Sequence, residues 1–388
     1  MKYNFDEIID RKNSNSVKHD WLKEKFGADD VIPLWVADMD FRIAQPILDA
    51  LKSRIEHGVF GYALKPDEYE NAIAKWQEQR NGWRIQDKSL ISFSIGVIPS
   101  IVTLVRMLAK PGEKVLIQPP VYPGFFALCK NTEMDILENR LVEKDGAFHF
   151  DPEDFESKLK DRPKAFILCN PQNPTGHAWR YEELKTMGDL CIKYGVPIIS
   201  DEIHGDLMLF GNKHIPMATI SPEIAANTIT CTAPTKTFNI AGVQGSYVVF
   251  NNHDMKKEFE SRWHDVGIST FSLEAILTAY GEGEDWLNQL ITYLEDNMRF
   301  VKEFCEKEIP QVKVNLPEST YLMWLDFRGL GLEGKELEEF LIQKAKLGMN
   351  AGPDFDLRLS GYMRLNAACP REILRKAMNQ LRDAIESL

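Results

Sequence analysis

The sequence predicts an α/β protein with a largely parallel sheet in its middle and a second, smaller α/β layer built from its two ends. Three observations lead there. At 388 residues the chain exceeds what one hydrophobic core usually organises, which favours two domains. Between about residues 90 and 250, short β-rich runs alternate with helical patterns, the rhythm of strands joined by crossover helices. The chain has no internal repeat, low-complexity run or Gly/Ser linker, so a second domain has to form from the two ends packing on the middle.

Taken in order, the run Leu90 to Ile95 leads into Gly96-Val97-Ile98 and a helical pattern that reaches Leu108. Backbone N–H groups at such a helix start form an anion cradle. The run Val115 to Ile117 is followed by Gln118-Pro119-Pro120-Val121-Tyr122, and Ala165 to Cys169 by the segment NPQNPTG, Asn170 to Gly176. Leu184, Met187, Gly188 and Cys191 then recur at helical spacing, with Gly195 placed to end the helix before the run Val196 to Ile199. That run gives way to Ser200-Asp201-Glu202-Ile203-His204, the run Thr228 to Cys231 to Ala233-Pro234-Thr235-Lys236, and Tyr247 to Phe250 closes the series. In open parallel sheets ligands bind beyond the carboxyl ends of the strands, which is where these polar and aromatic residues gather. The C-terminal third opens near Asp285 with a helical stretch through Trp286, Leu290 and Tyr293. It continues with a strand-like Tyr321 to Asp326 and ends in a charged helix. The expected division is a large domain over 51–286 and a small one from 1–50 and 287–388.

Composition excludes several roles. A net charge of -12 without a basic stripe argues against a nucleic-acid partner. No stretch approaches the ~20 apolar residues of a membrane span, and Met1 to Asp10 lacks the apolar core of a signal peptide. The six cysteines are scattered, without paired spacing for a metal or redox site. A reducing cytoplasm is therefore the expected location, and no metal is expected.

Lys236, in APTKTFNIAG, follows a strand among small and hydroxyl residues. Burial lowers an amine's pKa and frees its nucleophilic form for a Schiff base with an aldehyde cofactor. Asp201 ends a strand at the same rim, where its carboxylate can keep a pyridine nitrogen protonated; capping a following helix is the plainer alternative. The doubled Asn-Pro pattern makes a rigid loop that presents Asn173. Tyr122, in a proline-fixed loop, can stack on a flat ring or simply pack. Arg364, in GYMRLNAACP, is bracketed by apolar residues and needs either an internal carboxylate or a substrate carboxylate as its bidentate match.

Asn173 in NPTG, Asp201 three residues before His204, Lys236 in TKTF and Arg364 near the end occur in the order of the class I/II aminotransferases, which the chain resembles over nearly its whole length. Within that family it is most similar to the cystathionine beta-lyases of the MalY/PatB type, through PLWVADMDF, HGVFGY, SDEIHGD, STYLMWLD and RLNAACPR. The resemblance implies fold type I with a mostly parallel seven-stranded sheet, pyridoxal 5'-phosphate (PLP) bound covalently to Lys236, Asp201 on the pyridine nitrogen, Tyr122 on the ring and Asn173 on the ring hydroxyl. It implies that Gly96, Val97 and Ile98 hold the phosphate with Thr235, and that Tyr62 reaches it from a second subunit, hence a homodimer. Arg364 grips the substrate carboxylate, helped by backbone near Val36 and Ala37.

The chain departs from the ordinary aminotransferase pattern at three positions. Gln244 stands where a phosphate-binding Arg is usual, Ala233 where a Ser is common, and His204 where a Tyr touches the ring hydroxyl. The first and last are features of the lyase subgroup, so the resemblance favours a carbon-sulfur β-lyase that cleaves cystathionine-like amino acids to a thiol, pyruvate and ammonia. An aminotransferase is the alternative, and a non-catalytic regulator that keeps the fold is the remote one. A further departure is Phe355-Asp356-Leu357, where relatives tend to have Gly after the Phe, with an expected effect on the substrate mouth.

Overall fold

The computed structural model describes residues 1–263 and 266–388. Its centre is a seven-stranded sheet of β1 (Ile91–Ser94), β2 (Lys114–Ile117), β3 (Asp135–Glu138), β4 (Ala165–Cys169), β5 (Ile198–Asp201), β6 (Thr228–Thr232) and β7 (Ser246–Val249), in the spatial order β1-β7-β6-β5-β4-β2-β3. β7 runs against the direction of the other strands, pairing antiparallel with β1 and β6; the remaining pairings, β2 with β3 and β4, β4 with β5 and β5 with β6, are parallel. Every residue of β4 is buried, and alternate side chains serve opposite faces. Ala165, Ile167 and Cys169 join the cluster that includes Ile101, Leu104 and Val105 of helix α1 (Val97–Leu108). Phe166 and Leu168 join the one that includes Leu184, Met187 and Cys191 of helix α3 (Tyr181–Tyr194), α2 being Pro123–Asn131. This double burial is why the strand reads as a continuous apolar run rather than an alternating one.

Two sequence expectations shift. The run expected from Val196 begins as a strand only at Ile198, because the Val196 N–H donates to Cys191 of α3 at 2.9 Å and Pro197 has no N–H to give. Gly195, at φ 68°, ends that helix in the left-handed conformation. The edge strand β3 was not expected at all.

The C-terminal third begins with the 25-residue helix α4 (Glu284–Glu308). A four-stranded sheet follows, formed by β8 (Lys313–Val314), β9 (Leu322–Asp326), β10 (Asn350–Ala351) and β11 (Tyr362–Asn366) in the order β8-β9-β11-β10, and helix α5 (Arg371–Glu386) closes the chain. The N-terminal segment joins this layer directly: Ile32–Pro33 pairs in parallel with Leu347–Gly348, and the Asn366 side-chain amide donates to the carbonyls of Val36 and Asp38 at 2.7 and 2.6 Å. Residues 35–37 are thereby fixed against β11, facing the carboxyl ends of the central strands. Among the described residues no helix is long and apolar enough to cross a membrane.

Candidate active site

A cavity of about 490 Å³ opens at the carboxyl ends of β4, β5 and β6, within the size range of small-molecule sites. Of the residues singled out from sequence, Val36, Ala37, Gly96, Val97, Ile98, Tyr122, Asn173, Asp201, His204, Thr235, Lys236 and Arg364 all line it. Tyr62 does not: it is fully exposed, at 108%, on a segment without regular structure.

Lys236 sits on a single helical turn, Pro234–Thr237, directly after β6. Its Nζ donates to the Ala37 carbonyl at 2.6 Å. Burial, reinforced by the charge of Arg364, pulls the amine down to about 8 against the opposing pull of Asp38 and Asp201. Asp201 is the last residue of β5 and is buried. No helix follows to be capped; its carboxylate accepts a hydrogen bond from the Ile203 N–H at 3.2 Å. Burial, with the nearby charge of Glu202, pushes it up to about 7, although the Ile203 bond and Lys236 oppose this. A buried carboxylate so poorly satisfied lacks a cationic partner.

His204 lies in the turn after β5, its ring edge-on to Tyr321 at 5.8 Å. Burial, helped by the charges of Lys236 and Arg364, drives it down to about 3, so it is neutral, and its Nδ1 has no hydrogen-bond partner. Asn173 is buried in a loop stapled by Gln172, whose amide donates to the carbonyls of Gln118 and Pro120 at 2.9 and 2.8 Å. Those bonds tie the Asn173 loop to the Tyr122 loop. Tyr122 stands at the start of α2, held edge-on to Phe125 at 6.0 Å. A Cβ on Gly124 would collide with the Tyr122 ring, so the ring's present position depends on a glycine two residues on.

Arg364, in β11, donates to Asn173 Oδ1 at 3.1 Å, to the Trp35 carbonyl at 2.8 Å and to Asn350 Oδ1 at 2.8 Å. Its guanidinium lies 4.9 Å over the Phe355 ring, and its Nε has no partner. No carboxylate among the described residues pairs with it, which removes the internal salt bridge as an alternative. Burial lowers it to about 10, leaving it charged. Gly96, Val97 and Ile98 bring the amino end of α1 to the cavity, where an anion gains roughly 0.3–2 kcal/mol from the helix dipole. Gln244 faces the same space at φ 55°; Ala233 is buried outside it. Sequence reasoning missed Trp35, Gln172 and Asn350, and noted Phe355 only for the residue that follows it.

PLP suits this donor set. The Asp201 carboxylate can take a protonated ring nitrogen, Asn173 and the orphaned His204 Nδ1 can serve ring substituents, Lys236 can take the aldehyde, and the start of α1 can take the phosphate. The model for class I and II aminotransferases matches residues 29–381. Cystathionine beta-lyase PatB of Bacillus subtilis is 41% identical over 98% of this chain and 100% of its own, and protein MalY of Escherichia coli is 33% identical over the whole of both. Cystalysin of Treponema denticola, solved with a pyridoxal 5'-phosphate cofactor, superposes with a TM-score of 0.96 at 36% identity over the whole of both chains. With a catalytic-type cavity at the ends of a mostly parallel seven-stranded sheet, and likeness that runs the full length of the chain, this protein belongs to the class I and II aminotransferase family of fold type I.

Proposed function

We propose that the protein is a PLP-dependent carbon-sulfur β-lyase that cleaves L-cystathionine or related cysteine S-conjugates to a thiol, pyruvate and ammonia. The observation that carries this reading is one cavity where an amine lowered by burial, an unsatisfied buried carboxylate and a guanidinium without a carboxylate partner converge. The names of the relatives support the choice of chemistry. When bound, PLP supplies an aldehyde that condenses with amines and a cationic ring that withdraws electrons from the substrate's alpha carbon.

The chain's own groups do the rest. Lys236 Nζ would hold the cofactor's aldehyde and, when free, would accept the alpha proton; an amine held near 8 accepts and returns a proton efficiently at neutral pH. Asp201 would hold the ring nitrogen and keep it protonated. Arg364, with Asn350 and the Trp35 carbonyl fixing its plane, receives the alpha-carboxylate. Asn173 and His204 would hold the ring hydroxyl and Tyr122 would cover the ring face. Gly96, Val97, Ile98 and Thr235 would hold the phosphate without an arginine at 244. Val36 and Ala37 close the wall beside Lys236.

The assay is direct. Incubation with L-cystathionine releases pyruvate and a thiol with no added 2-oxo acid, whereas a strict need for an oxo-acid acceptor makes the protein an aminotransferase. A homodimer is part of the proposal, with Tyr62 of each chain serving the other's phosphate. Exposure of Val59, Phe60, Tyr62 and Leu64 along one segment supports that contact. A cytoplasmic location and a division into 51–286 against the two ends complete it; six free, buried cysteines suit a reducing compartment.

A further inference from the structure

The residue that departs from the family pattern after Phe355 is tied to the far edge of the central sheet. The Asp356 side chain is 1% exposed and meets two guanidinium groups. Arg140, two residues beyond the edge strand β3, reaches Asp356 Oδ1 through Nη1. Arg358 reaches Oδ2 at 3.1 Å, and its backbone N–H donates to Oδ1 at 3.0 Å. Arg140 is itself held by Glu138, the last residue of β3. Burial opposes the charge on Asp356, yet the bonds from Arg358 and Arg140 keep its carboxyl below the usual range.

Two further contacts connect this clip to the cavity. The Phe355 carbonyl, one residue before Asp356, accepts from the Val121 N–H at 3.2 Å, next to Tyr122. The Phe355 ring is completely buried, packs edge-on against Trp324 at 5.3 Å and supplies the face beneath Arg364. Arg364 has only neutral acceptors on its other sides, so the position of this ring decides where the guanidinium plane lies. The loop at 352–359 has no strand or long helix of its own, so the ion pair adds a tie on the side of Phe355 away from Val121.

We propose that Asp356 and Arg140 are positioning residues for the substrate carboxylate: their ion pair clips the 352–359 loop to the β3 edge and so sets Phe355 under Arg364. This rests on the reading of Arg364 as the carboxylate-binding group. A substrate with its carboxylate misaligned binds more weakly in ground state and transition state alike, which raises KM and leaves kcat in place.

The test uses the PLP-loaded protein with L-cystathionine and four variants, Arg140→Gln, Asp356→Asn, the double variant and Arg364→Lys. Arg140→Gln and Asp356→Asn are each expected to raise KM roughly tenfold with kcat within about twofold, and the double variant to do no worse than either single, as two ends of one contact should. Cofactor absorbance stays unchanged in all three. A loss of melting temperature or cofactor with KM intact means that the pair is merely structural and overturns the proposal, as does additive behaviour in the double variant. If Arg364→Lys raises KM and the clip variants do not, the clip alone fails; if Arg364→Lys leaves KM unchanged, the carboxylate reading beneath it fails. Arg140 is partly exposed, so its glutamine variant folds even where the buried Asp356 change does not.

Discussion

Burial displaces Asp201 and Lys236 in opposite directions, and for Asp201 this has a consequence for folding without cofactor. Its carboxyl is raised from 3.8 to about 7 in the folded chain, so between roughly pH 4 and pH 7 the folded state keeps a proton that the unfolded state has lost. Stability from this site is present below that window and is lost as pH rises through it. Replacing Asp201 by Asn removes the charge that has no partner. The apoprotein of D201N is expected to be more stable than wild type at pH 8 by up to roughly 4 kcal/mol, with the gap closing at pH 4, while its affinity for PLP falls. Urea denaturation of both apoproteins at the two pH values checks the sign; equal stabilities at pH 8 would remove burial as the cause. Lys236, Asp201, Asn173 and Arg364 were legible in the sequence because each is a charged or amide group in a strand-end or apolar setting that calls for a partner. Trp35 was not, since it contributes a carbonyl that every residue has. Asn350 was hidden for a different reason: it meets Arg364 through an antiparallel pairing that no local pattern announces. Tyr62 was named from the resemblance alone, and a single chain leaves it in solvent.

At the level of strands and turns, the apolar runs of β2, β4, β5 and β6 stood out because both of their faces are covered. β3 did not, being an edge strand that starts at an exposed Asp, ends at a half-exposed Glu and carries only two apolar residues between them. The turn from Gln118 to Gly124 is where an element shapes the site most sharply. At Gly124 an alanine Cβ would push on one edge of the Tyr122 ring and not on backbone, so the chain yields by moving the ring. G124A is expected to change melting temperature little, by about 1 kcal/mol or less in stability, yet to weaken PLP binding severalfold and shift the bound cofactor's absorbance. Titration of apoprotein with PLP, followed by its spectrum, measures both; unchanged affinity would mean that the ring does not cover the cofactor.

For the molecule as a whole, the exposed Val59, Phe60, Tyr62 and Leu64 fit the proposed second copy. Sedimentation equilibrium should return twice the 44.5 kDa of one chain. Y62A should keep that mass while losing PLP roughly tenfold more readily on dilution or dialysis; a monomeric wild-type protein, or a Y62A variant with unaltered cofactor retention, would break the link between assembly and site. The cavity also joins distant parts of one chain: Arg364 holds the Trp35 carbonyl across 329 positions, and Asn366 holds those of Val36 and Asp38. A polypeptide emerging from the ribosome therefore carries its nucleophilic lysine for more than a hundred residues of synthesis before the opposite wall exists. Until Arg364 has been made, the amine lacks the neighbour whose charge helps burial to lower it.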